Sequence, residues 1–257
     1  MCFIVFAYQV HPSYRLIAAA NRDEYYERST SPVAFWEDAP QVLAGRDLKE
    51  GGTWMGITRG GKFAALTNFR DPGGVKTGAP SRGQLVSNFL TGSESAASYM
   101  DRISRPAQEY NGFNLICGDP KDLFVYSNRG EIKKLEPGIY GLSNHLLDSP
   151  WPKVIKGKKA LSAAMNEKVP DLEAALFTIL SDRKMAPENK LPSTGIGLEW
   201  ERLLSSIFIE SPTYGTRSSS VLLIGKNQWV KFVEKVFDGK PEPWVESRFS
   251  FLRKRLT

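Results

Sequence analysis

Two apolar runs open the chain, Cys2 to Gln9 and Tyr14 to Ala20, with His11-Pro12-Ser13 between them. Apolar runs joined by turn residues predict an antiparallel β-hairpin. Both runs are apolar nearly throughout, so neither strand can keep a face in water. Such a hairpin needs other strands over one face and helices over the other. That demand narrows the fold more than any other feature of the sequence.

The rest of the chain offers the cover. Gln41 to Ala44 reads as a short strand, and Thr53 to Thr58 and Lys62 to Asn68 form a hairpin about Arg59-Gly60-Gly61. Arg70 to Gly74 is a loop. Ser81 and Gln84 form a capping box ahead of Leu85, Val86, Phe89 and Leu90, so a helix starts there. A second short helix covers Glu94 to Ile103. Phe113 to Cys117, Leu123 to Ser127, Ile132 to Leu135 and Ile139 to Leu142 follow as an antiparallel meander. Ser149-Pro150 caps a helix from Trp151 to Met165, and Asp171 caps another with Leu172, Leu176, Ile179 and Leu180 on one face. Asp182 to Gly197 is a long loop, and a short helix spans Trp200 to Ile207. Ser219 to Ile224, Trp229 to Val236 and Trp244 to Phe251 close the chain as strands. No internal repeat or linker divides residues 1–257, which predicts one domain. Strands, helices and strands again, without strict βαβ alternation, predict an α+β fold of two sheets between helical layers.

Composition excludes several classes of function. Lys and Arg total 34 against 28 Asp and Glu, a net charge of +6. The basic residues are scattered rather than striped, which suits small anions and not nucleic acid. Two cysteines, Cys2 and Cys117, cannot form a disulfide framework. The chain therefore reads as built for a reducing, cytoplasmic compartment. With only His11 and His145, a zinc site rich in His and Cys is nearly excluded, and no metal is expected. Axial haem ligation is confined to those two histidines, Cys or Met. No stretch approaches the ~20 apolar residues of a membrane-spanning helix. The apolar start is too short for a signal peptide and lacks a basic leader. Gly56 to Phe63 resembles a phosphate loop but ends in Phe where Ser or Thr is required, and it lies in a hairpin.

Cys2 carries the most chemical information. Removal of Met1 would leave a thiol and a free α-amine on one residue. An α-amine has a pKa of about 7.7–8.0 and is a partly neutral base at pH 7. It can activate its own side chain as a nucleophile. The alternative is a buried cysteine that opens a strand, which is common for free Cys. Asn21-Arg22-Asp23-Glu24 ends the second apolar run and is either a solvated loop or part of the same site. With the hairpin turn at 11–13, residues near 22–23 lie opposite residues near 1–2. Asp23 can then hold the Cys2 ammonium, and Arg22 can favour the thiolate. Asn68 and Asn144 each follow a predicted strand and can supply neutral oxyanion donors. Thr216-Arg217-Ser218 precedes a strand and is otherwise a charged loop.

These segments resemble one family. Met1-Cys2, Asn21-Arg22-Asp23-Glu24, Glu50-Gly51-Gly52-Thr53-Trp54, Leu66-Thr67-Asn68, Tyr110 to Leu115, Tyr140 to Asn144 and Tyr214-Gly215-Thr216-Arg217 are similar to the motifs of the NRDE family. That family is also called the transport and Golgi organisation protein 2 family, and it resembles the N-terminal-nucleophile hydrolases of the choloylglycine hydrolase and penicillin acylase type. The resemblance covers essentially the whole chain. It implies a four-layer αββα sandwich with Cys2 as nucleophile, Asp23 on the α-amine, Asn68 and Asn144 at the oxyanion, and Arg217 as a late site arginine. The hydrolases place a first Arg three residues before the Asp, where this chain has Ala20, so Arg22 is assigned to substrate binding instead. Two functions follow from the resemblance. One is hydrolysis of an amide bond in a small, acylated, anionic compound, with no cofactor. The other is non-enzymatic binding and trafficking of haem, an acyl chain or an acyl-CoA.

Overall fold

The computed structural model describes residues 2–119, 121–166, 171–239 and 245–254. Met1 and Trp244, both used in the sequence reading, lie outside these residues. Six strands come first: β1 (Cys2–Tyr8), β2 (Tyr14–Tyr25), β3 (Thr30–Phe35), β4 (Val42–Asp47), β5 (Met55–Thr58) and β6 (Phe63–Asn68). Helices α1 (Gly83–Thr91) and α2 (Ala96–Ser104) follow. The meander is β7 (Phe113–Gly118), β8 (Leu123–Ser127), β9 (Ile132–Lys134) and β10 (Gly138–Leu142). Helices α3 (Pro152–Ala164), α4 (Asp171–Leu180) and α5 (Leu198–Leu203) lead to β11 (Tyr214–Gly225), β12 (Trp229–Val236) and β13 (Val245–Leu252).

These strands build two antiparallel sheets. One runs β10-β1-β2-β11-β12-β13, the other β3-β4-β5-β6-β7-β8-β9. The alternation along β1 shows how the layers are made. Ile4, Phe6 and Tyr8 join Leu43, Ile57, Phe63 and Ile116 between the sheets. Phe3, Val5 and Ala7 point the other way, onto Leu161, Leu172 and Leu176 of α3 and α4. Outside the second sheet, α1 and α2 pack Leu85, Phe89 and Met100 against Ala64, Leu115 and Cys117. The result is the expected α+β sandwich with layers αββα. Gly157 lets α3 approach β1 closely, since a Cβ there would run into the Phe3 ring. No helix among the described residues is long and apolar enough to cross a membrane.

Several local expectations change. Strand β2 continues to Tyr25, because Arg22 to Tyr25 are paired on one or both sides by β1 and β11. Asn21, Arg22 and Asp23 are therefore buried strand residues and not a solvated loop. Strand β3 went unread because Pro32 argues against a strand. It is an edge strand whose register shifts between Ser31 and Ala34, a place that tolerates proline. The capping box at Ser81 and Gln84 does not form; Arg82 holds the N-cap position of α1 and no side chain caps it. Helix α2 instead starts behind Ser95, which accepts a hydrogen bond from the Ser98 N–H.

Candidate active site

Register decides what stands beside Cys2. Its Cα partner across the hairpin is Arg22, so the two side chains share a face. That face opens into a cleft of about 200 Å³, lined also by Asp23, Thr53, Trp54, Asn68 and Arg82. The Arg22 guanidinium lies over the Trp54 ring, 4.4 Å from its centre, which fixes its direction. The opposite wall is the start of α1. Gly52 makes that wall possible, because a Cβ there would strike the backbone of Gly83 and Gln84.

Electrostatics follow from burial. The Cys2 thiol is pushed up by burial, which outweighs the thiolate-favouring pull of Arg22 and of a hydrogen bond from the Asp23 backbone. The surroundings alone do not ionise this thiol, and a base has to take its proton. Burial also raises the Asp23 carboxyl to about 6, against the opposing pull of Lys153 and of the hydrogen bond from Thr216. Thr216 Oγ1 donates to Asp23 Oδ1 at 2.7 Å. Lys153, in the first turn of α3, is 3% exposed, and its ammonium has no hydrogen-bond partner among the described residues. Burial pushes it down to about 8, partly offset by Asp23.

A raised carboxyl makes stability pH-dependent in a known direction. The native state holds the Asp23 proton where the unfolded chain has lost it, so stability falls as pH rises from about 4 to about 6. A rise from 3.8 to about 6 corresponds to roughly 3 kcal/mol. Asp23→Asn should remove that slope. Urea unfolding at pH 4 and pH 7 checks it, and an unchanged difference between the two pH values would refute the assignment.

The expected site residues do not all converge. Cys2, Arg22, Asp23 and Asn68 line the cleft, whereas Asn144 and Arg217 do not. Asn144 is fully buried, and its Nδ2 donates to the Asn68 carbonyl at 3.0 Å. Ser143 Oγ lies 3.2 Å from both the Cys2 carbonyl oxygen and Asn144 Oδ1. Thr67 Oγ1 donates to the Ser143 carbonyl at 2.5 Å. Asn144 thus stitches the two sheets together beneath the cleft, with its amide oxygen and one of its two N–H donors engaged. Arg217 is the bulge residue between Thr216 and Ser218. Its NH1 donates to the carbonyls of Tyr25, Tyr26 and Arg28 at 2.8–3.0 Å, and its Nε to Phe237 at 3.3 Å. It braces the segment that brings Arg28 to the cleft. The side-chain amide of Asn68 makes no hydrogen bond to any described residue and remains able to donate into the cleft.

Sequence reasoning missed Arg82 and Lys153. Ser143, Thr53 and Trp54 stood in quoted motifs without a role. Arg82 was legible only as a neighbour of the helix start, and Lys153 reads as one more helix-surface lysine. Among the described residues no cluster of His, Cys, Asp and Glu could hold a metal ion.

Two antiparallel sheets between helical layers make up the fold of the N-terminal-nucleophile hydrolases. The Caenorhabditis elegans orthologue of N-acylethanolamine-hydrolyzing acid amidase superposes with a TM-score of 0.50 at 11% identity, over 86% of this chain and 92% of that one. The chain itself belongs to the transport and Golgi organisation 2 family, whose model matches residues 1–239. It is similar to the transport and Golgi organization protein 2 homologs of Bos taurus (39% identical) and Homo sapiens (37%), in each case over 98% of this chain and 99% of the relative. The Drosophila melanogaster relative is 30% identical over 93% of both chains.

Proposed function

We propose that this chain is an amide-bond hydrolase with Cys2 as an N-terminal nucleophile, acting on a small acylated, anionic compound. The reading is carried by one observation: Cys2 opens onto a polar cleft in register with Arg22, and Asp23 and Asn68 line the same cleft. With Met1 removed, the Cys2 α-amine takes the thiol proton. The sulfur attacks the amide carbon, an S–C bond forms, and the carbonyl electrons move onto oxygen. Asn68 donates to that oxygen. The C–N bond then breaks, and the amine leaves with the proton from the α-ammonium. Water attacks the thioester, the C–S bond breaks, the acid departs and the sulfur regains its proton. Asp23 orients the α-amine, and Arg22 faces the substrate anion.

Two measurements on native protein test this. Its intact mass should lack Met1. A small electrophile should label Cys2 far faster than Cys117, which is fully buried and whose thiol is pushed well up by burial. Quantitative retention of Met1, or equal labelling of both cysteines, would end the hydrolase reading.

A separate groove favours a second reading, binding of an acyl chain. It holds about 640 Å³ between α3 and the 182–190 segment. Ile155, Met185 and Ile207 give it apolar lining, and Lys156, Lys159, Lys184 and Lys190 ring it with charge. That combination suits an apolar chain ending in an anion. Haem ligation by histidine lacks comparable support. Both ring nitrogens of His11 meet backbone groups, and His145 Nδ1 lies 2.7 Å from Ser149 Oγ. On this reading, joint replacement of Lys159 and Lys184 by Glu weakens binding of a fluorescent fatty acid and leaves Cys2 labelling unchanged. Unaltered fatty-acid affinity would dismiss it.

A further inference from the structure

At about 200 Å³ the Cys2 cleft is smaller than the ~300–1,000 Å³ of sites for drug-sized ligands. A compound of dipeptide size fits there, and a long acyl chain does not. The lining carries charge of both signs. Arg28 is closed by Asp47 at 2.6 Å, so that pair is spent. Besides Arg22 and Asp23, that leaves Arg82, Glu24 and Glu50 on the lining, and none of these three has an ion-pair partner among the described residues. Arg82 uses one nitrogen on the Gly112 carbonyl at 3.0 Å, and among the described residues Glu24 accepts only from the Tyr25 N–H at 3.0 Å.

Two further observations point to an anion beside Arg82. Helix α1 begins at Gly83, which lines the cleft, and no side chain caps it. The Gln84 and Leu85 N–H groups are taken by the Ser81 and Arg82 carbonyls at 3.2 and 3.0 Å, so what the helix start turns to the cleft is the positive end of its dipole. Independently, Arg22 is 6% exposed and lines the same cleft, and its buried NH1 has no hydrogen-bond partner among the described residues. A buried guanidinium nitrogen without a partner is costly unless a ligand supplies an acceptor.

We propose that the substrate is a compact amide of dipeptide size that carries both a carboxylate and an ammonium group. Arg82, Arg22 and the start of α1 read the carboxylate, and Glu24 reads the ammonium. The scissile carbonyl then lies over Cys2, and the bond changes are those given above. This substrate class rests on the hydrolase reading.

The test uses the full chain carrying Cys2→Ala, which binds without cleaving. Calorimetry compares alanylalanine, N-acetyl-alanylalanine, alanylalanine amide and N-lauroyl-alanine. Alanylalanine should bind about 10- to 100-fold more tightly than either blocked form. Adding Arg82→Met should erase the preference for a free carboxylate and keep that for a free amine. Glu24→Gln should do the reverse, and each retained preference shows that the variant is folded. Equal affinity for all four compounds, or tightest binding of the lauroyl compound, would overturn the proposal. Iodoacetamide labelling of unmodified protein separates the two readings. A reactive Cys2 with no charge preference removes only the substrate class. Charge-selective binding beside an inert Cys2 removes the hydrolase, and with it the substrate role, and leaves a binding site for a zwitterionic amide.

Discussion

Cys2→Ala is expected to abolish turnover of any amide probe the protein cleaves while leaving the fold intact. Loss of the nucleophile in a comparable hydrolase costs on the order of 10⁶ in kcat. Little folding energy should go with it. The change removes one sulfur from the wall of a cleft and leaves the hydrophobic alternation of β1 untouched, since Phe3, Ile4, Val5 and Phe6 supply that strand's packing. Single-turnover assays and thermal melting of the same preparation separate the two effects. Turnover that survives in a folded Cys2→Ala protein would move the chemistry elsewhere.

Glu201→Ala should bring the largest loss of stability of any single polar change considered. Arg70 NH1 donates to Glu201 Oε2 at 2.5 Å, and both side chains are about 95% buried. Glu201 Oε1 also accepts from the N–H and hydroxyl of Thr194 at 2.7 and 2.6 Å. One carboxylate therefore ties α5 and the 194 region to the end of β6, close to the cleft. Removing it strands a buried Arg70, whose Nε and NH2 already lack hydrogen-bond partners among the described residues. Breaking one side of a buried pair costs about 3–5 kcal/mol, or a fall in Tm of roughly 10 °C for a chain of this size. Arg70→Met with Glu201→Leu should recover much of the loss, because no charge is then left unpaired. Urea unfolding measures both, and a loss below about 1 kcal/mol for Glu201→Ala would show that the pair carries no structural weight.

Much of the architecture was legible because it depends on local pattern. Alternation and turn residues around 11–13 set the β1–β2 hairpin; their arithmetic put residues near 22–23 opposite residues near 1–2, and the register pairs Cys2 with Arg22. The meander from β7 to β10 was read for the same reason. Strand β3 was not, because an edge strand with a proline looks like a loop until its single neighbour is known. The polar end of β2 looked solvated for a similar reason: nothing nearby in sequence announces that β11 will pair with it.

The candidate site divides along the same line. Cys2, Arg22, Asp23 and Asn68 were found in the sequence because hairpin geometry and strand ends place them, and both are short-range properties. What Asn144 and Arg217 do with their hydrogen bonds was decided by carbonyls brought from more than 70 residues away. A side chain's type announces which bonds it can make, but only the packed structure determines whether those bonds are already taken. Arg82 and Lys153 came to matter in the same way. An arginine before a helix and a lysine in a helix's first turn are ordinary in sequence, and they became unusual when the sandwich buried Lys153 near Asp23 and turned Arg82 toward the Cys2 cleft. By itself, the sequence determined the layered fold, through strands too apolar to face water, and the residue that heads its central hairpin. The tertiary structure alone decided which polar groups stay free to meet a ligand, because burial and hydrogen-bond satisfaction are properties of the whole packed chain.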